Sequence, residues 1–134
     1  MKYSEENIGE EIPGRDYTPD IAQSMLYNAA LWNAHRIHFD HEYATCEEGY
    51  EGLVVPGPLI GDWLHQCVQE WLGDSGQIQS MSYSNRLASI VGETLTSGGV
   101  ITGIDDTGNT AEIEVFVKNA KGEIVAPGSA VVKF

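Results

Sequence analysis

The stretch PGPLIGDWLHQCVQEWLG, residues 56–73, predicts the element around which the rest of the chain folds. Gly57 stands at the expected cap, Pro58 in the first turn, where a missing N–H is tolerated, and Gly73 is a fitting stop. Between them apolar pairs recur at helical spacing: Leu59/Ile60, Trp63/Leu64, Cys67/Val68 and Trp71/Leu72. A stripe this broad needs deep cover, which a β-sheet would supply. We therefore expect Trp63, Trp71 and Cys67 in the core, with no role for the Cys67 thiol as a nucleophile.

After residue 76 the pattern changes to β-structure. Strands are predicted over 77–86, 93–104, 110–117 and 123–134, with turns at 105–109 and 119–122. Pro127-Gly128 suggests a bulge or a bend in the last strand. The whole chain, 1–134, is thus predicted to be one α+β domain in which an antiparallel meander wraps one long central helix.

The region before the central helix is less regular. Residues 1–11 are expected to be irregular, with a short strand near Ile12. Thr18 and Pro19 resemble the cap and first position of a helix. This helix runs to about residue 33 along an apolar stripe of Ile21, Met25, Leu26, Ala29, Ala30 and Trp32. Residues 34–55 then form a long connection, with a short helix around 41–44, and connections of this length inside a domain are usually functional.

Composition limits the classes of partner. The chain has 134 residues, with 20 acidic residues against 7 Lys and Arg, a net charge of −13. Such a surface disfavours nucleic-acid binding, and the chain has no apolar run of membrane-spanning length. An acidic N-terminus without a signal core and only two cysteines favour a cytoplasmic protein with reduced thiols.

The connection contains a polar cluster, NAHRIHFD at residues 33–40, placed before the glycine-led start of the central helix. His is the usual general acid and base near neutral pH, and the amide at a helix N-terminus can bind an anion. This pairing suits chemistry beside a carbonyl group. His35, His38, Asp40 and His41 could also be metal ligands, but no remote ligand set completes them, so we expect no metal.

These residues resemble a known family. The run 33–40, followed by Tyr43-Ala44 and by GLVVPGPL at 52–59, is similar to the hot-dog-fold acyl-thioester dehydratases and hydratases. The match is closest to the MaoC-like branch with type 2 hydroxyacyl-thioester dehydratases and mesaconyl-type CoA hydratases. It covers roughly residues 12–134, including closing strands at 122–132, although only the first motif is specific.

The resemblance implies a hot-dog fold, a homodimer with sites near its interface, an acyl-CoA or acyl-carrier-protein thioester as substrate, and no cofactor. It also implies catalysis by His38. Many relatives have Asp five residues earlier, where this chain and the compared branch have Asn33. A carboxamide cannot accept the proton, so two-base catalysis through this position is excluded. Pro56 is a second departure, because relatives often have His before the glycine.

The expected activity is that of a hydro-lyase that interconverts 3-hydroxyacyl and 2-enoyl thioesters. We assign His38 as general acid and base, and Asn33 as the residue that holds the water, unless it only caps a helix. The Gly57 N–H, or that of a neighbour, would polarise the thioester carbonyl. The oxyanion and substrate-binding segment is accordingly Val55, Gly57, Pro58 and Leu59. Gly suits residue 57 because a side chain could block the substrate.

Three cations are candidate contacts for CoA phosphates or a substrate carboxylate: Arg36, Arg86 and Lys118. Arg36 could instead form a structural ion pair with Asp40 or with the acidic stretch Glu47–Glu51, and we favour this structural role. A thioesterase on the same fold is an alternative, with Asp62 as its acidic residue. A non-catalytic thioester-binding or dimer-partner subunit, or a dehydratase or cyclase for an unusual acyl chain, also remains open. The acidic surface favours CoA over an acyl carrier protein.

Overall fold

A computed structural model of the chain describes residues 3–134. It contains one five-stranded antiparallel sheet with the order β1-β3-β4-β5-β2. Two helices and five strands account for most of it: β1 (Glu11–Tyr17), α1 (Ile21–Ala30), α2 (Gly57–Leu72), β2 (Gln77–Tyr83), β3 (Leu95–Asp105), β4 (Thr110–Lys118) and β5 (Ile124–Lys133). Short helical turns lie at Glu5–Asn7, Arg36–His38, Tyr43–Glu47 and Gly73–Ser75. Among these residues no helix is both long and apolar enough to cross a membrane.

The sheet wraps α2, as the sequence predicts. Trp63, Leu64 and Val68 of the helix are at most 2% exposed, and the inward-facing residues of β4, such as Ile113 and Val115, are equally buried. Each such aliphatic side chain stabilises the fold by about 1.5–3 kcal/mol through burial. This arrangement, a long helix enclosed by an antiparallel sheet, is the hot-dog fold.

Both predicted core tryptophans pack on α2, but to different depths. Trp63 is fully buried and stacks on Tyr17 with ring centroids 4.6 Å apart. Trp71 is only partly buried and packs against Tyr3 and Phe134, with centroid separations of 5.3 and 6.0 Å. Cys67 is 1% exposed, and burial raises the pKa of its thiol. Its predicted inertness as a nucleophile is consistent with that shift.

The strand order departs from a simple meander. β3, β4 and β5 are consecutive neighbours, but β2 lies at the far edge, beside β5, with Met81 opposite Ala130. Strand order depends on which edges meet in three dimensions, so spacing along the chain could not reveal it. The strand predicted over 77–86 ends at Tyr83. The bulge predicted at Pro127-Gly128 lies instead at Val125, between the β4–β5 pairs Val117↔Ala126 and Lys118↔Ile124.

The N-terminal expectations need three corrections. The segment expected to be irregular contains a helical turn at Glu5–Asn7, whereas the strand predicted near Ile12 is confirmed as β1, which begins at Glu11; residues 1 and 2 lie outside the described part. α1 begins at Ile21, not at Pro19. Its cap is Asp20, whose carboxylate accepts the Gln23 N–H at 2.7 Å, while the hydroxyl of Thr18 hydrogen-bonds to that of Thr94 at 2.8 Å.

The apolar stripe of α1 faces outward. Ser24 and Asn28 are the buried residues of this helix, whereas Ile21 is 63% and Leu26 65% exposed. Trp32, just beyond the helix, is 93% exposed. The periodicity therefore predicted a helix correctly, but the apolar side of that helix is uncovered in the single chain.

Candidate active site

The connection that carries the polar cluster is fixed at both ends. At its start, the Trp32 N–H donates to Ala29 O and the Asn33 N–H to Asn28 O, closing α1 with a left-handed residue at Trp32 (φ 54°). Near its end, the Val54 N–H donates to the Ile37 carbonyl at 2.9 Å. The turn that carries His38 is thereby held against the segment that leads into α2.

His38 is buried, and its ring has a defined protonation pattern. Its Nδ1 lies 2.7 Å from the carbonyl oxygen of Val54. A carbonyl can only accept, so Nδ1 carries the hydrogen and Nε2 keeps a free lone pair. Burial lowers the pKa of His38 below its ordinary value of 6.5, and the nearby His35 adds to this effect against the opposing bond to Val54. The ring is therefore a neutral base near pH 7.

A cavity of about 270 Å³ lies between His38 and the start of α2. Three segments form its walls: the end of the connection, the first turn of α2 and the stretch after β2. The lining residues are His38, Tyr50, Val54, Val55, Gly57, Ile60 and 85–89. The imidazole and the helix N-terminus thus border the same space.

Gly57 is the first residue of α2, and Pro56 rather than Gly57 is the N-cap. Neither Pro56 nor Pro58 has an N–H, and the N–H groups of Leu59 and Ile60 both donate to Pro56 O. The hydrogen bonds within residues 3–134 include none from the Gly57 N–H. This group is therefore the one free backbone donor in the first turn, at the positive end of the helix dipole.

The other residues of the predicted oxyanion segment do not all lie at the cavity. Val55 borders the cavity, but Pro58 and Leu59 do not. Leu59 is 5% exposed because it belongs to the apolar stripe that packs into the core. Pro58, one residue earlier, falls on the exposed side of the helix.

Asn33 is not among the residues that line this cavity. Its backbone closes α1, and its amide oxygen accepts the His35 N–H at 3.1 Å. The capping alternative therefore describes its contacts in the single chain. The amide nitrogen makes no hydrogen bond within the described part of the chain.

The three candidate cationic residues lie in different parts of the structure. Arg36 forms a salt bridge with Asp40 at 2.8 Å and stacks over the Tyr43 ring, which is the structural role that we favoured. Lys118 lies over the ring of Phe116, away from the cavity. Only Arg86 borders the cavity, where its Nε donates to the Ser84 hydroxyl at 3.1 Å.

The groups considered as metal ligands are engaged elsewhere. Nδ1 of His38 bonds to Val54 O, and Nδ1 of His35 accepts the Ile37 N–H. Hydrogen bonds to the Asp40 carboxylate hold its pKa below the usual value; the bond from the Tyr43 N–H has the larger effect, followed by the bond from the Arg36 guanidinium. No group of three His, Cys, Asp or Glu side chains that could hold a metal converges among residues 3–134.

Asp62, the residue on which a thioesterase would depend, is exposed and lies outside the cavity lining. Its carboxylate accepts the hydroxyl of Tyr27 at 2.7 Å. Burial and this hydrogen bond raise the pKa of Tyr27.

In the third wall the sequence interpretation named Arg86 but missed Asn85 and Ser89. An added Cβ at Gly57 would collide with the carboxamide of Asn85, so the two residues are in close contact. The Ser89 hydroxyl oxygen is buried without a hydrogen-bond partner. The pairing of β2 with β5 and the backbone bonds to residues 53–55 bring this stretch beside α2, and both are distant in sequence, so no local pattern could have identified Asn85 or Ser89.

The comparisons with known proteins agree with this fold. Residues 4–91 match the model of the hydroxyacyl-thioester dehydratase type 2 family, Htd2, and the chain belongs to that family. This confirms the resemblance inferred from the 33–59 motifs.

The curated relatives match only part of this chain. Mesaconyl-C(4)-CoA hydratase of Chloroflexus aurantiacus is 52% identical over 46 residues, which are 34% of this chain and 16% of that protein. The matches to curated relatives take in a quarter or less of those proteins' length.

Solved structures match over nearly the full length. The (R)-hydratase from A. caviae involved in PHA biosynthesis has a TM-score of 0.86 at 20% identity, covering 95% of this chain and 96% of that one. A chain of the ChsH1–ChsH2 complex from Mycobacterium tuberculosis has a TM-score of 0.83 at 17% identity, covering 100% and 99%. At these identities the likeness confirms the hot-dog fold.

Proposed function

We propose that the chain is a hydro-lyase that interconverts 3-hydroxyacyl and 2-enoyl thioesters at the cavity between His38 and Gly57. One observation carries the proposal: His38, whose Nδ1 is bonded and whose Nε2 is left with a lone pair, and Gly57, whose N–H is unpaired, line the same cavity. Membership in the hydroxyacyl-thioester dehydratase type 2 family supports it.

In the hydration direction, Nε2 of His38 takes a proton from a water molecule as its oxygen bonds to the β-carbon of the enoyl thioester. The π electrons shift toward the carbonyl, and negative charge builds on the thioester oxygen. The Gly57 N–H donates to that oxygen, where the helix dipole adds to the stabilisation. The imidazolium then returns a proton to the α-carbon, which restores the carbonyl and the neutral base. Dehydration follows the same steps in reverse.

The role of Asn33 in holding the water stays a prediction. Its amide oxygen is used by the His35 N–H, so the contact would come from the amide nitrogen. Losing such a contact should affect the rate less than losing the base itself.

We propose a CoA thioester as the substrate. The net charge of −13 opposes docking of a strongly acidic carrier domain, and Arg86 at the cavity can meet an anionic group. Gel filtration with light scattering in the presence of acyl carrier protein tests this choice. A stable complex with the carrier would contradict it.

We also propose that the chain forms a homodimer in the cytoplasm. The exposed apolar side chains of α1 support association, and two free cysteines, one buried and one exposed, suit a reducing compartment. A dimer mass in solution and recovery in the cytosolic fraction are the expected results. A monomeric mass would contradict the homodimer. Recovery with an organelle would contradict the cytoplasmic location.

The decisive assay is incubation of the purified protein with a panel of 2-enoyl-CoA thioesters, with water addition followed by mass and by loss of the enoyl absorbance. We expect turnover that His38→Ala lowers about 10²–10⁴-fold. His41→Ala is the matched control, because His41 is an exposed histidine of the same connection outside the cavity.

Three results would contradict the proposal. Release of free CoA without water addition would indicate a thioesterase. Thioester binding without turnover, unaltered in His38→Ala, would indicate a non-catalytic subunit. Equal activity of His38→Ala and His41→Ala would remove His38 from the mechanism.

A further inference from the structure

Asn85 lies directly over the start of α2. If Gly57 carried a Cβ, that atom would collide with Nδ2 of Asn85 and would lie 3.1 Å from its Cγ. The amide nitrogen therefore packs against the backbone of Gly57, the residue whose N–H is unpaired. Both residues border the cavity that contains His38.

The carboxamide of Asn85 has no internal partner. Within residues 3–134 it makes no hydrogen bond, whereas those of Asn7 and Asn119 each bind a neighbouring Glu or backbone group. A donor that points at no protein acceptor is available to a ligand.

The backbone on both sides of Asn85 is held in place. The Ser84 N–H donates to Pro127 O at 3.1 Å, and the Arg86 N–H donates to Val125 O at 2.8 Å. These bonds fix the segment to β5. Asn85 is exposed, yet its Cα has little freedom to move relative to the sheet.

The same segment is tied to the residues before α2. The Val55 N–H donates to Ser89 O at 2.8 Å. The position of Asn85 relative to Gly57 is thus set by backbone bonds on two sides. Donors held in advance stabilise developing charge well, because little reorganisation is needed during the reaction.

We propose that the side-chain amide of Asn85 is the second donor to the thioester oxygen, alongside the Gly57 N–H. The inference rests on the proposed function and adds a catalytic residue to it. Glycine is needed at residue 57 because any side chain there would displace this amide. Asn85 strengthens its bond as charge builds on the oxygen, so it lowers the barrier more than it tightens substrate binding.

The kinetic test compares Asn85→Ala and Asn85→Asp with Asn7→Ala. The Asp side chain matches Asn in shape but has no N–H to donate. Removing an oxyanion donor typically lowers kcat by about 10²–10³-fold. We expect both Asn85 variants to lose about 10²-fold in kcat/KM, mostly in kcat. Asn7→Ala, at a half-buried Asn outside the cavity, should remain within about twofold. Full activity of both Asn85 variants would overturn the inference while the hydratase function stands.

A spectroscopic test separates a direct contact from a structural effect. The probe is 2-butenoyl-CoA with a ¹³C-labelled thioester carbonyl, bound to His38→Ala so that it is not consumed. Donation to the oxygen lowers the carbonyl stretching frequency on binding. The shift should shrink in His38→Ala/Asn85→Ala, and an unchanged shift would overturn the inference. If the unmodified protein hydrates no thioester, the proposed function fails and the inference fails with it.

Discussion

The free N–H of Gly57 can be removed without deleting a side chain. Gly57→Pro eliminates this donor, and proline is tolerated in the first turn of a helix. Gly57→Ala keeps the N–H but adds a Cβ that meets the Asn85 carboxamide, as proline would. Both variants share the crowding at Cβ, so the comparison tests the replacement of the N–H by the ring Cδ of proline.

The expected difference follows from the donors in the first turn. With Pro56 and Pro58 lacking an N–H and the next two N–H groups bonded to Pro56 O, Gly57 supplies all the backbone donation at this helix end. Loss of one such donor raises the barrier by about 2.7–4 kcal/mol. We expect kcat/KM for enoyl-CoA hydration to be about 10²–10³-fold lower in Gly57→Pro than in Gly57→Ala.

The assay is steady-state hydration followed by enoyl absorbance, with thermal unfolding by circular dichroism to establish that both variants are folded. Equal kcat/KM for two folded variants would refute the assignment of the Gly57 N–H as oxyanion donor.

Three further predictions concern the base, the alternative activity and the helix packing. Because burial lowers the pKa of His38 and the base must be unprotonated, kcat/KM should fall only as the pH drops through a value below 6.5; an acid limb centred above 6.5 would contradict this. Asp62→Asn should leave hydration within about twofold and release no free CoA, and loss of thioester cleavage in this variant would instead support a thioesterase. Gly61→Ala would force a Cβ into the Tyr83 ring and lower the free energy of unfolding, measured by chemical denaturation, by about 1–3 kcal/mol. In a Tyr83→Leu background the same substitution should instead raise it by up to about 1 kcal/mol through helix propensity. Equal effects in both backgrounds would contradict the contact between residues 61 and 83.

Local patterns predicted the elements well where one face is buried. The four-residue pairs of α2 and the alternation of β4 each place their apolar side chains against one common core, so periodicity and burial agree. The left-handed glycine at residue 73 ends α2 as expected.

The pattern misled at α1 and at the order of the strands. α1 has a regular apolar stripe, but in the single chain Ser24 and Asn28 face inward. Periodicity indicates which residues share one face of a helix, but it does not indicate whether that face packs against the rest of the chain. The position of β2 beside β5 depends on long-range pairing, which local spacing does not encode.

The same distinction applies to the site. His38 and Gly57 could be found because each belongs to a local motif, the polar turn and the helix start. Asn85 could not, because its proximity to Gly57 arises from contacts between β2, β5 and α2. Pro58 and Leu59 are near Gly57 in sequence, but the helical rotation directs them to other sides.

The most direct test of the account is a crystal structure of the protein with a CoA thioester that cannot be hydrated. We expect the thioester oxygen about 2.7–3.1 Å from the Gly57 nitrogen, and a water between Nε2 of His38 and the carbon that corresponds to the β-position. A thioester bound away from Gly57, or an imidazole of His38 that does not reach that water, would contradict it.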